Sequence, residues 1–143
     1  GFAAAAVVGE RIYLVGGQDD DGDLALCQSY DPALDVAGEP AWSTHRPMSV
    51  ARAGHGLAAY GGAVYAVGGG WSGSVTYNER YAPESDAWST FESPVTGEWR
   101  SLGLTSVEDA TGSYLYAVGG WSGSYSSAVR TYQIGYRAFI PMQ

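Results

Sequence analysis

The chain has 143 residues, of which 45% are hydrophobic, 13% aromatic and only 15% charged, with 21 glycines and 11 tyrosines. That length holds one domain with a sizeable core, and the Gly- and Tyr-rich mixture suits short strands and tight turns better than helices. A net charge of −8, with no lysine and seven arginines, argues against nucleic acid and anionic membrane surfaces, both of which call for positive charge.

Taken in chain order, the apolar pattern predicts strands in three groups of four. The first group covers 2–8, 11–15, 24–31 and 41–46, and the second covers 55–60, 63–67, 75–82 and 87–92. The third covers 102–107, 114–118, 128–134 and 136–142. The first two strands of each group are joined by Gly9-Glu10, by Gly61-Gly62 and by the longer segment 109–113, all of which read as hairpin turns. No long segment carries a helical period, so the predicted class is all-β. Cys27 is the only cysteine, which excludes an intrachain disulfide and any CxxC site, and no apolar run is long enough to span a membrane as a helix.

One motif is written three times: a tyrosine-bearing apolar strand that ends in a glycine pair. It stands at Arg11-Ile12-Tyr13-Leu14-Val15-Gly16-Gly17, Ala63-Val64-Tyr65-Ala66-Val67-Gly68-Gly69 and Tyr114-Leu115-Tyr116-Ala117-Val118-Gly119-Gly120. The glycine pairs lie 52 and 51 residues apart, the spacing of a propeller or another repeat array. A continuous apolar strand suits burial on both faces between neighbouring sheets. A tyrosine follows 12 or 13 residues after each pair (Tyr30, Tyr81, Tyr132), and Trp42 and Trp88 open the fourth strands. The first repeat carries an insertion between Tyr30 and Trp42, and the third has Tyr136 or Phe139 in place of the tryptophan.

This order of features resembles the kelch repeat, and Pro47-Met48-Ser49-Val50-Ala51-Arg52-Ala53-Gly54-His55 is similar to the linker that leads into a kelch blade. The resemblance covers the whole chain and implies a β-propeller of four-stranded blades around a channel: blade 1 over 1–46, blade 2 over 47–93 and blade 3 over 94–143. Propellers close with about four to eight blades. Three blades, half of a six-bladed ring, would expose apolar end faces that soluble monomers rarely leave open. Either a homodimer or further blades of a longer polypeptide is expected to complete the ring. Gly1 falls within the linker of the first repeat, which predicts a preceding segment, whereas a strand ending at Met142 would complete the third blade.

In propellers the loops after the second strands share a face with the linkers between blades. That face collects 18–23, 70–74 and 121–127, and two of these loops repeat Trp-Ser-Gly-Ser: Trp71, Ser72 and Ser74, then Trp121, Ser122 and Ser124. Exposed indoles flanked by hydroxyls would form a ligand platform on which sugar rings stack; the plainer alternative is that each indole packs over its own turn. Asp19, Asp21 and Asp23 offer hard oxygens for calcium, although the spacing is not that of an EF-hand and a solvated loop tip is the simpler reading. Arg52 and Arg100 read as matching linker positions. The kelch resemblance implies arginines that reach the channel mouth and pair with an acidic ligand group, with a structural tie as the alternative.

His45 and His55 are the only histidines, too few for a His-rich zinc site, and no GxSxG elbow or phosphate loop is present. Some kelch-like oxidases hold copper with two His and two Tyr, one of them linked to Cys, but no spacing here matches such a site. The expected function is noncatalytic: loops recognising a protein or glycan partner, blade edges forming an oligomer, and no cofactor apart from calcium. The alternatives are a kelch-type enzyme, sialic-acid mutarotase-like or copper-oxidase-like, whose site another chain or further blades would complete, and a purely structural subunit of an extracellular assembly. Tyr136-Arg137-Ala138-Phe139-Ile140-Pro141-Met142 is similar to tails that close some exported bacterial proteins. With the acidic, lysine-free composition, it predicts an extracellular or cell-surface location.

Overall fold

A computed structural model describes residues 1–136. Apart from Tyr136, the expected last strand over 136–142 lies outside the described residues, as does the rest of the tail. The first repeat folds as β1 (Ala4–Val8), β2 (Arg11–Val15), a small hairpin of β3 (Gln18–Asp19) and β4 (Gly22–Asp23), then β5 (Cys27–Tyr30), the helix α1 (Pro32–Val36) and β6 (Trp42–Thr44). The helix occupies the insertion. Asp31 caps it by accepting from the Ala33 and Leu34 amides, and Pro32 opens it with a preset φ.

The second repeat folds as β7 (Gly56–Tyr60), β8 (Ala63–Val67), β9 (Tyr77–Ala82) and β10 (Ala87–Glu92), and the third as β11 (Gly103–Glu108), β12 (Gly112–Val118) and β13 (Val129–Tyr136). Three antiparallel sheets result, ordered β1-β2-β5-β6, β7-β8-β9-β10 and β11-β12-β13. The chain is all-β, and its sheets are the expected blades. Among the described residues no helix is long and apolar enough to cross a membrane.

Several strand ends differ from expectation by two or more residues, and two of them have a clear backbone reason. Pairing of β5 begins at Cys27 because the preceding carbonyls serve the linker: Arg52 N–H donates to Leu24 O (3.0 Å) and Met48 N–H to Ala25 O (2.9 Å). Pairing of β13 runs on through Gly135 to Tyr136 because the β11–β12 hairpin is longer than its counterparts and β12 extends back to Gly112.

The core lies between sheets. Tyr13, Val15, Cys27 and Met48 pack on Val64, Ala66 and Tyr81, joining the first and second blades. Tyr65 and Val67 pack with Trp99, Leu102, Leu115 and Ala117, joining the second and third. The larger of these apolar side chains, such as Val15, Val64 and Leu115, contribute roughly 1.5–3 kcal/mol each when fully buried. Burial on both faces holds only for β8, all five residues of which are buried; in β2 and β12 the outward faces leave Ile12 37% and Val118 47% exposed. Trp88 stacks on Tyr81 (5.0 Å) and donates its indole N–H to Arg46 O (2.8 Å), tying its strand to the preceding linker.

Candidate functional site

Each linker crosses the glycine pair of the blade before it, and this crossing positions everything on the loop face. Gly17 N–H donates to Arg52 O (3.0 Å) and Gly69 N–H to Trp99 O (2.5 Å). A Cβ at Gly16 or Gly68 would collide with those same carbonyls, so only glycine lets the linker pass. Inside the crossing, Arg52 Nη1 donates to Gly68 O (2.8 Å), and the indole N–H of Trp99 donates to Gly119 O (2.9 Å).

The structural counterpart of Arg52 is therefore Trp99, and the expected match with Arg100 is corrected. Strand register shows this directly: Gly56 opens β7 opposite Val67 and Gly103 opens β11 opposite Val118, and the residue four before each is Arg52 and Trp99, with Arg100 one place further on. Arg52 lies in the interior, fully buried and ion-paired with an equally buried Glu79 at 2.7 Å. It also donates to Tyr77 O (3.2 Å), while the Glu79 carboxylate accepts from the Ser49 and Val50 amides (2.7 and 3.3 Å). Arg52 fastens the linker and offers nothing to a ligand on the face.

Arg100 is on that face. Its guanidinium carbon stands 4.3 Å from the Trp71 ring centre and 4.2 Å from that of Trp121, so its charge lies over both indole rings. Phe2 stacks on the other side of Trp71 at 4.3 Å with an interplanar angle of 16°. Phe2, Trp71, Arg100 and Trp121 form one continuous stack across all three blades. Gly54 leaves room beneath it, because a Cβ there would come within 3.2 Å of both Trp71 and Arg100. A backbone relay runs alongside: Gly54 N–H to Phe2 O (3.0 Å) and Ser101 N–H to Gly54 O (2.7 Å), with all three residues at positive φ.

The stack decides what the tryptophans present. Trp71 has both ring faces occupied and offers neither to a sugar, so the paired-indole platform is not formed. Trp121 keeps one face. A cleft of about 320 Å³ opens beside it, lined by Arg100, Ser101, Ser126 and the 92% exposed Tyr125. Ser74 and Ser122 border a shallower depression of about 520 Å³ that also includes Glu98, whose carboxylate lies 3.5 Å from Arg100. Ser124 closes the tip of its loop by accepting from the Ser122 amide. Ser72 faces the first blade instead: its amide donates to Asp23, and its hydroxyl accepts from Gln18 Nε2 (2.7 Å).

Asp23 is thus engaged between blades, and the Asp19 carboxylate accepts from the Asp21 amide (2.9 Å), an Asx turn. Among the described residues no group of three or more His, Cys, Asp or Glu is gathered as a metal site, so Asp19, Asp21 and Asp23 do not converge. His55 is buried against Gly16 and Gly69 with neither ring nitrogen hydrogen-bonded; burial, assisted by the Arg52 charge, lowers its pKa to about 3. Ser29 Oγ and His45 Nε2 are 2.7 Å apart, but Ser29 is 1% exposed between blades, out of reach of any substrate. Burial and the charge of Asp86 push the Cys27 thiol up to about 12, so it stays protonated.

The sequence reading passed over Phe2, Trp99, Glu79 and Tyr125. One signal marks Glu79: its strand position is held by Gln28 and Arg130 in the other repeats, and only the middle repeat carries an arginine at the crossing.

With this crossing geometry in view, comparison with known proteins is decisive. The Kelch motif matches residues 1–36 and 51–94. The chain belongs to the kelch-repeat family. Among curated kelch relatives, Kelch-like protein 26 of Danio rerio is 31% identical over 125 residues, covering 83% of this chain and 19% of that protein. Kelch-like protein 34 of Homo sapiens is 33% identical over 107 residues, covering 73% and 16%. Beta-scruin of Limulus polyphemus is 39% identical over 64 residues, covering 44% and 6%. The chain spans less than a fifth of the length of each. Kelch membership suggests a protein-binding or assembly role.

Proposed function

We propose that this kelch chain is a noncatalytic scaffold whose loop face binds a protein partner and whose end blades join further blades. The observation that carries the reading is Arg100, held rigid between Trp71 and Trp121 at the edge of an open cleft, with Tyr125 projecting beside it. Arg, Trp and Tyr dominate protein-interface hot spots, and a side chain already immobilised loses little entropy on binding. A protein partner is favoured over a glycan because the covered faces of Trp71 remove the second stacking surface. An extracellular or cell-surface location remains part of the proposal, resting on composition.

The test is a peptide-display selection on the folded chain, followed by affinity measurements with Trp121→Ala and Arg100→Ala. Enriched peptides should bind each variant about tenfold or more weakly, with the sheet signal in circular dichroism unchanged. Peptides that bind the variants as well as the parent would remove the loop face from the account. Glycan-array binding abolished by Trp121→Ala would replace the protein partner with a sugar.

A further inference from the structure

The loop face carries charge of one sign. Its stretches 18–23, 70–74, 96–101 and 121–127 hold five carboxylates (Asp19, Asp20, Asp21, Asp23 and Glu98) and a single cationic side chain, Arg100. That cation is already committed: it lies over the Trp71 and Trp121 rings and 3.5 Å from the Glu98 carboxylate. Asp23 accepts from the Ser72 amide at 3.1 Å, and Ser72 borders the depression of about 520 Å³ in which Glu98 stands. The acidic hairpin of the first blade therefore adjoins the depression between the second and third.

The lining of that depression supplies one carboxylate, four hydroxyls (Ser72, Ser74, Thr96 and Ser122) and no basic group. All of these can accept hydrogen bonds. Glu98 keeps 37% of its side chain exposed, and its contact with Arg100 is its sole partner among the described residues. Ammonium and guanidinium groups carry donors only, so they match such a lining, whereas a carboxylate or phosphate would be repelled by Glu98. Trp71 borders both the depression and the cleft of about 320 Å³ beside Trp121. In that cleft the free face of Trp121 and the exposed Tyr125 ring offer a cation the kind of contact that Arg100 makes from the other side.

We infer that the partner segment taken by the loop face is basic, with an arginine or lysine seated in the depression against Glu98 and further positive charge facing the hairpin of Asp19 to Asp23. The inference rests on the loop-face half of the proposed function and gives that partner its chemistry. The net charge of −8 acts in the same direction at long range, steering a basic partner in and turning an acidic one away. This is the reverse of what the kelch resemblance implied, an arginine that pairs with an acidic ligand group. Arg52 is interior and Arg100 is engaged on both sides, so no free cation is presented for such a group.

The same peptide-display selection, read for composition, tests this. Enriched peptides should carry more arginine and lysine than the starting library. Replacing those residues by glutamine in an enriched peptide should weaken binding about tenfold or more, and so should Glu98→Gln in the chain. The two changes together should cost little more than either alone, because both remove the same contact. Raising the salt to about 1 M, where the Debye length is about 3 Å, should weaken binding as well. Glu84→Gln, an equal loss of charge on the exposed turn between β9 and β10, should leave the affinity unchanged. Acidic or neutral peptides that depend on Trp121 overturn the inference and leave the loop-face reading standing. So do basic peptides that bind Glu98→Gln as tightly as the parent, or that lose as much to Glu84→Gln. A library in which no binder depends on Trp121 or Arg100 removes both readings.

Discussion

At the scale of single residues, two buried groups set the response to mutation and acid. Arg52 and Glu79 are paired without solvent, so removing one partner strands the other's charge. Glu79→Leu should cost about 3–5 kcal/mol in denaturant unfolding, whereas a matched apolar replacement of both should cost far less. His55 titrates in the opposite direction to a gained partner. Its folded pKa of about 3 lies below the unfolded value of 6.5, so between those values the unfolded chain holds the extra proton. Stability is therefore lost as pH falls through that window, by about 2 kcal/mol from pH 7 to pH 5. Urea unfolding of His55→Leu should show that slope flattened; an unchanged slope would mean that His55 is solvated.

At the scale of elements, the strands were legible because period-two burial and a repeated glycine pair are local signals. The motif located β2, β8 and β12 within two residues of their observed starts. The linkers were not legible in the same way, since they are held by contacts between repeats rather than within them. Arg100 was found, but its role could not be read, because the partner stacked on it from the first repeat, through Trp71, is Phe2. Trp99 escaped because an indole stands where the middle repeat has an arginine, and only the fold shows that both donate to the first glycine of their pair. The crossing itself is testable: Gly68→Ala places a methyl on the Trp99 carbonyl at a φ of 71° and should destabilise by more than about 1 kcal/mol, whereas the same change at Gly61, where nothing lies near, meets only the backbone strain. Likewise Trp88→Phe, which keeps the ring on Tyr81 but loses the bond to Arg46, should cost about 0.5–1.5 kcal/mol.

At the scale of the molecule, the three blades are unequal in protection. The middle blade is covered on both sides and contains β8, every residue of which is buried; the outer blades each turn one face outward. Amide exchange should accordingly be slowest in β8 and faster in β2 and β12.

The two blade junctions are also built from different chemistry. Where the first junction has Arg52 and His55, the second has Trp99 and Leu102 at the corresponding places. His55, buried against Gly16 of the first blade, makes the first seam proton-sensitive, whereas Leu102 stands in its place at the second. Acid should therefore split the arc along a single plane, releasing the first blade as a flap while the second and third stay joined. Limited proteolysis at pH 5 should cut first in the linker between Thr44 and Gly56, leaving a resistant two-blade fragment that at pH 7 appears only with the rest.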